Sequence, residues 1–286
     1  MTTYAESEVH VGDPNCSERV LGGRYRLEER IGAGGMGEVW RATDAVFLRT
    51  VAVKIPLPSL PSDQDSGGRF RTEARLLASL RHSGIVRVYD YGTDETPEGD
   101  HREYLVMEHI DGWALADHIA SAGRLGSADT LSVLAQAAAA LQVAHRAGLV
   151  HRDVKPRNLM IQPDCRVVLV DFGLARSIRS AEAPAGLMFG SPYYMAPEQI
   201  TAGGISPATD VYALGAVAYS CLAGRAPFTG DSLTEIVQLV VRQEPAPLPD
   251  DVPVGLAAAV LRALSKVPAA RYADASEFAA ALRGAR

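Results

Sequence analysis

Residues 151–158 read His-Arg-Asp-Val-Lys-Pro-Arg-Asn, and residues 171–173 read Asp-Phe-Gly at the end of the apolar run Val167-Val-Leu-Val170. The first stretch places a carboxylate (Asp153), an ammonium two residues on (Lys155) and a carboxamide five residues on (Asn158) in one short polar loop. That loop falls between a predicted helix and a predicted strand. Asp153 can accept a hydroxyl proton there, Lys155 can neutralise charge on a group in transfer, and Asn158 offers an oxygen to a divalent cation. Asp171, at a strand end, can bind the same hard cation, and Gly173 permits a sharp redirection of the chain. The alternative for 151–158 is a solvated turn, which leaves its lysine unexplained. An Asp-Phe-Gly triplet alone arises by chance, and its distance from 151–158 is what gives it weight.

The lysine matters because this chain hardly uses any. Of 28 basic residues, only Lys54, Lys155 and Lys266 are lysine, the remainder being arginine. A lysine is a compact point charge where an arginine is a wide planar fork, so lysine is kept where a guanidinium cannot substitute. The other totals bound the problem. At 286 residues the chain has room for one large domain or two lobes, and 47% hydrophobic content supports a sizeable core. A formal charge of −6 argues against nucleic acid or an anionic membrane as partner. Cys16, Cys165 and Cys221 are odd in number and widely spaced, which fits reduced thiols in the cytoplasm and three small buried hydrophobes. Residues 1–23 lack a basic start and an apolar core, so they read as a flexible polar tail and not a targeting signal. The longest apolar candidate, 130–150, is broken by Gln136, Gln142, His145 and Arg146 and predicts a soluble helix instead of a membrane span.

Along the chain, short strand-like runs at 25–31, 38–43 and 51–55 precede a Pro/Ser/Gly/Asp loop at 56–68. Phe70, Ala74, Leu77 and Leu80 then recur at helical spacing. Strands follow at 85–91 and 104–108. After Gly112 the pattern turns helical, with 127–147 carrying Ser127 as cap and Asp129 in its first turn. Short strands at 159–161 and 167–170 precede helices at 207–223, 232–242, 253–264 and 275–282. The spacing predicts a β-rich first lobe and a helical second lobe with a cleft between them.

Two further motifs face that cleft. Gly32-Ala-Gly34-Gly35-Met-Gly37 opens a helix in dinucleotide-binding folds, or covers phosphates from a hairpin. The following Glu38-Val-Trp-Arg-Ala-Thr43 alternates like a strand, and no acidic residue stands about twenty positions on, which favours the hairpin. Lys54, within Val51-Ala-Val-Lys54, would in isolation snorkel to solvent. Opposite the glycine hairpin and with Glu73 on the next helix, it is placed instead to grip nucleotide phosphates.

Taken in order, GAGGMGEV, VAVK, a helix Glu, HRDVKPRN, DFG, GSPYYMAPE and DVYALG make the chain resemble a eukaryotic-type (Hanks-type) Ser/Thr protein kinase of the bacterial branch over residues 24–283. The resemblance implies an α+β, two-lobed protein-kinase fold. It comprises an N-lobe of 24–108 with one regulatory helix, a hinge at 109–112 and a helical C-lobe of 113–286. It also implies ATP with Mg²⁺, or Mn²⁺ in its place, and transfer of the γ-phosphate to Ser/Thr hydroxyls. Asp153 would be the base, with Lys155, Lys54 and Glu73 completing the catalytic set, Lys54 pairing with Glu73 and holding the α/β-phosphates. Asn158 and Asp171 would bind the metal. Ile31, Gly32, Gly34, Gly37, Val39, Ala52, Met107, Glu108, Ile110 and Met160 would enclose the nucleotide, the adenine bonding to backbone at Glu108 and Ile110. Leu77, Val88, His151 and Phe172 match an apolar column joining the lobes, Glu198 should pair with Arg271, and Asp210 should brace the catalytic loop. Partners implied are Ser/Thr protein substrates and a homodimer for trans-autophosphorylation. The segment between Asp171 and Gly190 departs from the family in carrying no Thr, only Ser177 and Ser180, and Ser191 stands where Thr is usual. The rival readings are a silent, nucleotide-gated pseudokinase and a small-molecule phosphotransferase.

Overall fold

The computed structural model describes residues 19–34, 37–56, 66–95, 101–172 and 192–285. Nine strands and eight α-helices form among these residues. The first lobe is a six-stranded sheet in the order β1-β2-β3-β4-β6-β5. Its strands are β1 (Val20–Leu21), β2 (Tyr25–Gly34), β3 (Gly37–Asp44), β4 (Arg49–Pro56), β5 (Val88–Glu95) and β6 (His101–Glu108). Every pairing in it is antiparallel, so tight turns suffice as connections. Helix α1 (Ser66–Ser79) begins inside the stretch expected as loop, and buries Ala74 and Leu77.

One face of this sheet closes on its own small core of Leu21, Tyr25, Val51, Val53 and Val106. The alternation of strand side chains explains the split: Ala52 and Leu105, one residue out of phase, join the main core shared with the second lobe. Residues 19–23 therefore do not belong to the tail expected over 1–23. Leu21 is 1% exposed, and Leu27 N–H donates to the Arg19 carbonyl. Arg24 makes a two-pronged bond to the buried Asp44 at 2.8 Å on each prong, tying the start of β2 to the end of β3.

The second lobe is built on α5 (Pro207–Ala223), which is buried from Thr209 to Leu222. A helix apolar on all sides belongs at a centre, and α5 occupies it. Around it pack α3 (Ser127–Arg146), α7 (Val254–Ala263) and α8 (Ala275–Gly284). The remaining helices are α2 (Leu115–Ala122), α4 (Pro197–Ile200) and α6 (Leu233–Arg242). A small sheet β7-β8-β9, from Trp113–Ala114, Leu159–Ile161 and Val167–Leu169, lies where the lobes meet. Ile85 bridges it to the first lobe through Leu169.

Three local expectations change. The cap of α3 is Gly126, with Ser127 already inside the helix and no side-chain cap bond. Cys165 is exposed in a turn with φ +62°, whereas Cys221 is buried as expected; Cys16 lies outside the described residues. The run 85–91 begins as an isolated bridge, and the strand proper starts at Val88. Among the described residues no helix is long and apolar enough to cross a membrane.

Candidate active site

The loop 151–158 is held from below by one carboxylate. Asp210, in the first turn of α5 and fully buried, accepts the amides of His151 and Arg152, each at 2.8 Å, and faces His145 Nε2 at 2.7 Å. Arg152 adopts φ +66°, a left-handed conformation that costs a non-glycine residue about 1–3 kcal/mol. It persists because both flanking polar groups are fixed. Asp210 takes the Arg152 amide, and Gln199 Nε2 donates to the Arg152 carbonyl at 2.8 Å. The chain then turns through a 3-10 segment, Pro156–Asn158, whose proline starts it without needing a donor.

Above this frame the polar side chains converge. Lys155 Nζ donates to Asp153 Oδ2 at 2.7 Å, and Asn158 Nδ2 donates to the same oxygen at 3.0 Å and to the Asp153 carbonyl at 2.8 Å. The amide nitrogen being so engaged, the Asn158 carboxamide oxygen is turned away from Asp153. Val170 N–H donates to the Asn158 carbonyl at 2.9 Å, which brings Asp171 beside the loop. Asp171 has φ +58°, the strained redirection that the triplet suggested, although it falls on the aspartate; Gly173 lies outside the described residues.

Lys54, from β4 and 3% exposed, bonds through Nζ to Asp171 Oδ1, so the two lobes meet in an ion pair. Burial works to raise the Asp171 carboxyl, but Lys54, with Lys155 and His151 further off, holds it below its ordinary value. The Glu73 side chain, expected as the partner of Lys54, lies outside the described residues. His151 is buried, its ring 4.4 Å from that of Phe172 and its Nε2 3.1 Å from the Val170 carbonyl. Burial lowers its pKa against the pull of Asp210, which favours the neutral ring. Leu77, Val88 and Phe172 are buried members of one core with it beside them.

The nucleotide-site candidates lie on β2, β3, β4 and β6, on the stretch after β6 and on β8. Gly34 pairs with Gly37 across the β2–β3 hairpin, and Gly37 has φ +124° with its Cα against the Ile55 carbonyl, where a Cβ would clash. Val39 pairs with Lys54, Ala52 with Met107, and Ala114 with Met160. Val39 and Met160 pack on the same core as Ala52 and Met107, and Ile31 is about half exposed. Glu108 ends β6, its amide donating to the Arg87 carbonyl; among the described residues Ile110 has no backbone hydrogen-bond partner, leaving donor and acceptor at the cleft lip. The donor set of Asn158 and Asp171, two hard oxygens beside bound ammonium groups, fits a small divalent cation that also takes phosphate oxygens. Among the described residues no cluster of three His, Cys, Asp or Glu side chains forms a closed metal cage. Ser177, Ser180 and Ser191 lie outside the described residues.

Two supporting residues were not anticipated as such: His145 and Gln199, which hold Asp210 and Arg152. The signal for His145 was present, since a polar residue interrupting a buried helical run needs a partner inside. Glu198 of α4 and Arg271 form the implied pair, with both guanidinium nitrogens on the carboxylate at 2.7 and 2.8 Å.

The protein kinase domain family matches residues 25–275, and the chain belongs to that family. It is 42% identical over 267 residues to the serine/threonine-protein kinase PknA of Mycobacterium tuberculosis, an alignment covering 93% of this chain and 62% of the relative. Against PknB of the same species it is 40% identical over 268 residues, covering 92% of this chain and 43% of the relative. The chain thus spans less than two thirds of these curated relatives. The crystal structure of a cysteine-to-alanine variant of the PknI kinase domain from M. tuberculosis superposes with a TM-score of 0.72 at 29% identity, covering 94% of this chain and 98% of that one.

Proposed function

We propose that the chain is an ATP-dependent Ser/Thr protein kinase that transfers the γ-phosphoryl group to protein hydroxyls, its own included. The observation that carries this reading is the convergence of Asp153, Lys155 and Asn158 from one loop with Lys54 and Asp171 from both lobes. Phosphoryl transfer asks a protein mainly for positioning and charge, and these five residues supply both. Asp153 orients the acceptor hydroxyl and takes its proton; Lys155, bonded to Asp153, lies where it neutralises charge on the group in flight. Lys54 holds the α/β-phosphates under the glycine hairpin. Mg²⁺, held by Asn158 and Asp171, supplies positive charge at the phosphate oxygens when bound. Lys54 and Asp171 compensate each other's charge, and a nucleotide phosphate and a cation would offer each of them an opposite charge in turn.

The adenine is read by the wall of Val39, Ala52, Met107 and Met160, with Glu108 and Ile110 offering backbone bonds. We place the reaction in the cytoplasm, where ATP and free thiols coexist, and Mn²⁺ suits the same donor oxygens. Nothing in the site favours a silent module, because every residue the chemistry needs is present. Mass spectrometry after incubation with ATP and Mg²⁺ tests the reading, with a Lys54→Met variant as control. Phosphate on Ser or Thr of the parent alone is expected, with Ser177 or Ser180 among the sites. Equal labelling of both proteins, or of neither, would overturn it.

A further inference from the structure

Lys266 is the lysine left outside the site. It follows α7, half-buried, and its Nζ donates to the Val240 carbonyl of α6 at 2.8 Å. That carbonyl belongs to the last turn of α6, where no intrahelical donor is available, so the ammonium acts as an external cap with the favourable sign. The same Nζ lies 4.0 Å from the centre of the buried Phe228 ring and 5.9 Å from that of Tyr212. Burial pulls the Lys266 pKa down to about 8, with the help of Arg271 and against the pull of Glu244.

Its backbone is held as firmly. Arg271 Nη2 donates to the Lys266 carbonyl at 3.0 Å while the same guanidinium grips Glu198 of α4. Helix α6 in turn packs against α4 and the 3-10 turn Pro192–Tyr194. The connections close a ring: Glu198 to Arg271, Arg271 to Lys266, Lys266 to α6, and α6 back to the segment that carries Glu198. Arg271 already lies 4.9 Å over the Tyr212 ring, and the Lys266 contacts to Val240 and Phe228 are those of a compact point charge, which a wide planar fork does not reproduce. That accounts for a lysine here in an arginine-dominated chain.

We propose that Lys266 is a positioning residue for the protein substrate: it pins the end of α6 and thereby sets the turn Pro192–Tyr194 and α4, which reach the loop of Asp153 through the bond from Gln199 to the Arg152 carbonyl and so shape the approach of the acceptor peptide. The proposal rests on the kinase reading above and adds which residue governs protein, as opposed to nucleotide, affinity. The test compares parent, Lys266→Met and Lys266→Arg in casein phosphorylation and in ATP hydrolysis by water, which needs no peptide platform. Lys266→Met should raise the KM for casein about fivefold, with the KM for ATP and the hydrolysis rate within about twofold of the parent. Lys266→Arg should fail to restore it. Hydrogen exchange at the amides of 239–243 should quicken in both variants. An unchanged casein KM, a parent-like Lys266→Arg, or equal losses in both reactions would overturn the proposal. Should Lys266→Met not fold, Phe228→Leu, which removes the ring and keeps most of the volume, should shift the casein KM the same way, and no shift would overturn it. Should the parent label itself but no casein, the proposal for Lys266 is overturned and the kinase reading stands; should it label neither, the kinase reading fails.

Discussion

The two lobes hold their halves of the cleft by different means. In the second lobe, loop 151–158 is fixed through Asp210, His145 and Gln199 to α5, α3 and α4, so its strained backbone has no slack. In the first lobe, Lys54 rides on a sheet with a separate core on one face and the core shared with the second lobe on the other, and its ammonium crosses to Asp171 in an ion pair. The loop of Asp153 is thus fixed by polar bonds to three helices, whereas the strand of Lys54 is joined to the second lobe by apolar packing and an ion pair.

Each side of this contrast can be attacked. The largest effect is expected from Asp153→Asn, which should lower kcat for phosphorylation by about a hundredfold to ten-thousandfold. Nucleotide affinity by calorimetry should stay near that of the parent, since the first lobe is untouched. Parent-like turnover would remove Asp153 from its role. Arg271→Met should cost the second lobe about 3–5 kcal/mol in urea unfolding, because Glu198 is left charged and buried without its partner. Near-parent stability would show that the platform does not depend on this pair.

The fold was readable in the sequence wherever the pattern was long. Helix α5 and strand β8 occupy the predicted residues, and α3 differs by one residue at its end. What escaped was short or held only by tertiary contact. β1 and β7 have two residues each, too few to show alternation, and α2 has two buried apolar residues before Gly123 breaks it at φ +75°. In the candidate site, the sequence pattern pointed to Asp153, Lys155, Asn158, Lys54 and Asp171, which the structure brings together. The bonds of His145 and Gln199 were not legible, since they depend on α3 and α4 meeting the loop in space. The exposure of Cys165 was misjudged for a similar reason: it sits in a tight turn, and its residue type says nothing of that.

A gentler perturbation is pH. The Glu198 carboxyl, which burial alone would raise, is held below its ordinary value by Arg271 and Thr209. The unfolded chain therefore takes up this proton first as pH falls, so the stabilisation is complete above the ordinary carboxylate range and drains away through and below it. The urea midpoint of the parent should drop more than that of Glu198→Gln between about pH 6 and about pH 3. Equal slopes would mean that other carboxylates carry the acid response. Smallest of all should be Arg124→Ala. Its pair with Asp251, at 2.7–2.9 Å, is exposed on both sides, and neither melting temperature nor kcat should move measurably.

The bonds from Asp210 to His151 and Arg152 span 59 and 58 residues of chain. A loop bent to φ +66° has no local reason to adopt that shape, and it waits on a helix placed much later in the polypeptide. The shape of this loop consequently cannot be fixed until residue 210 has been made and α5 has formed.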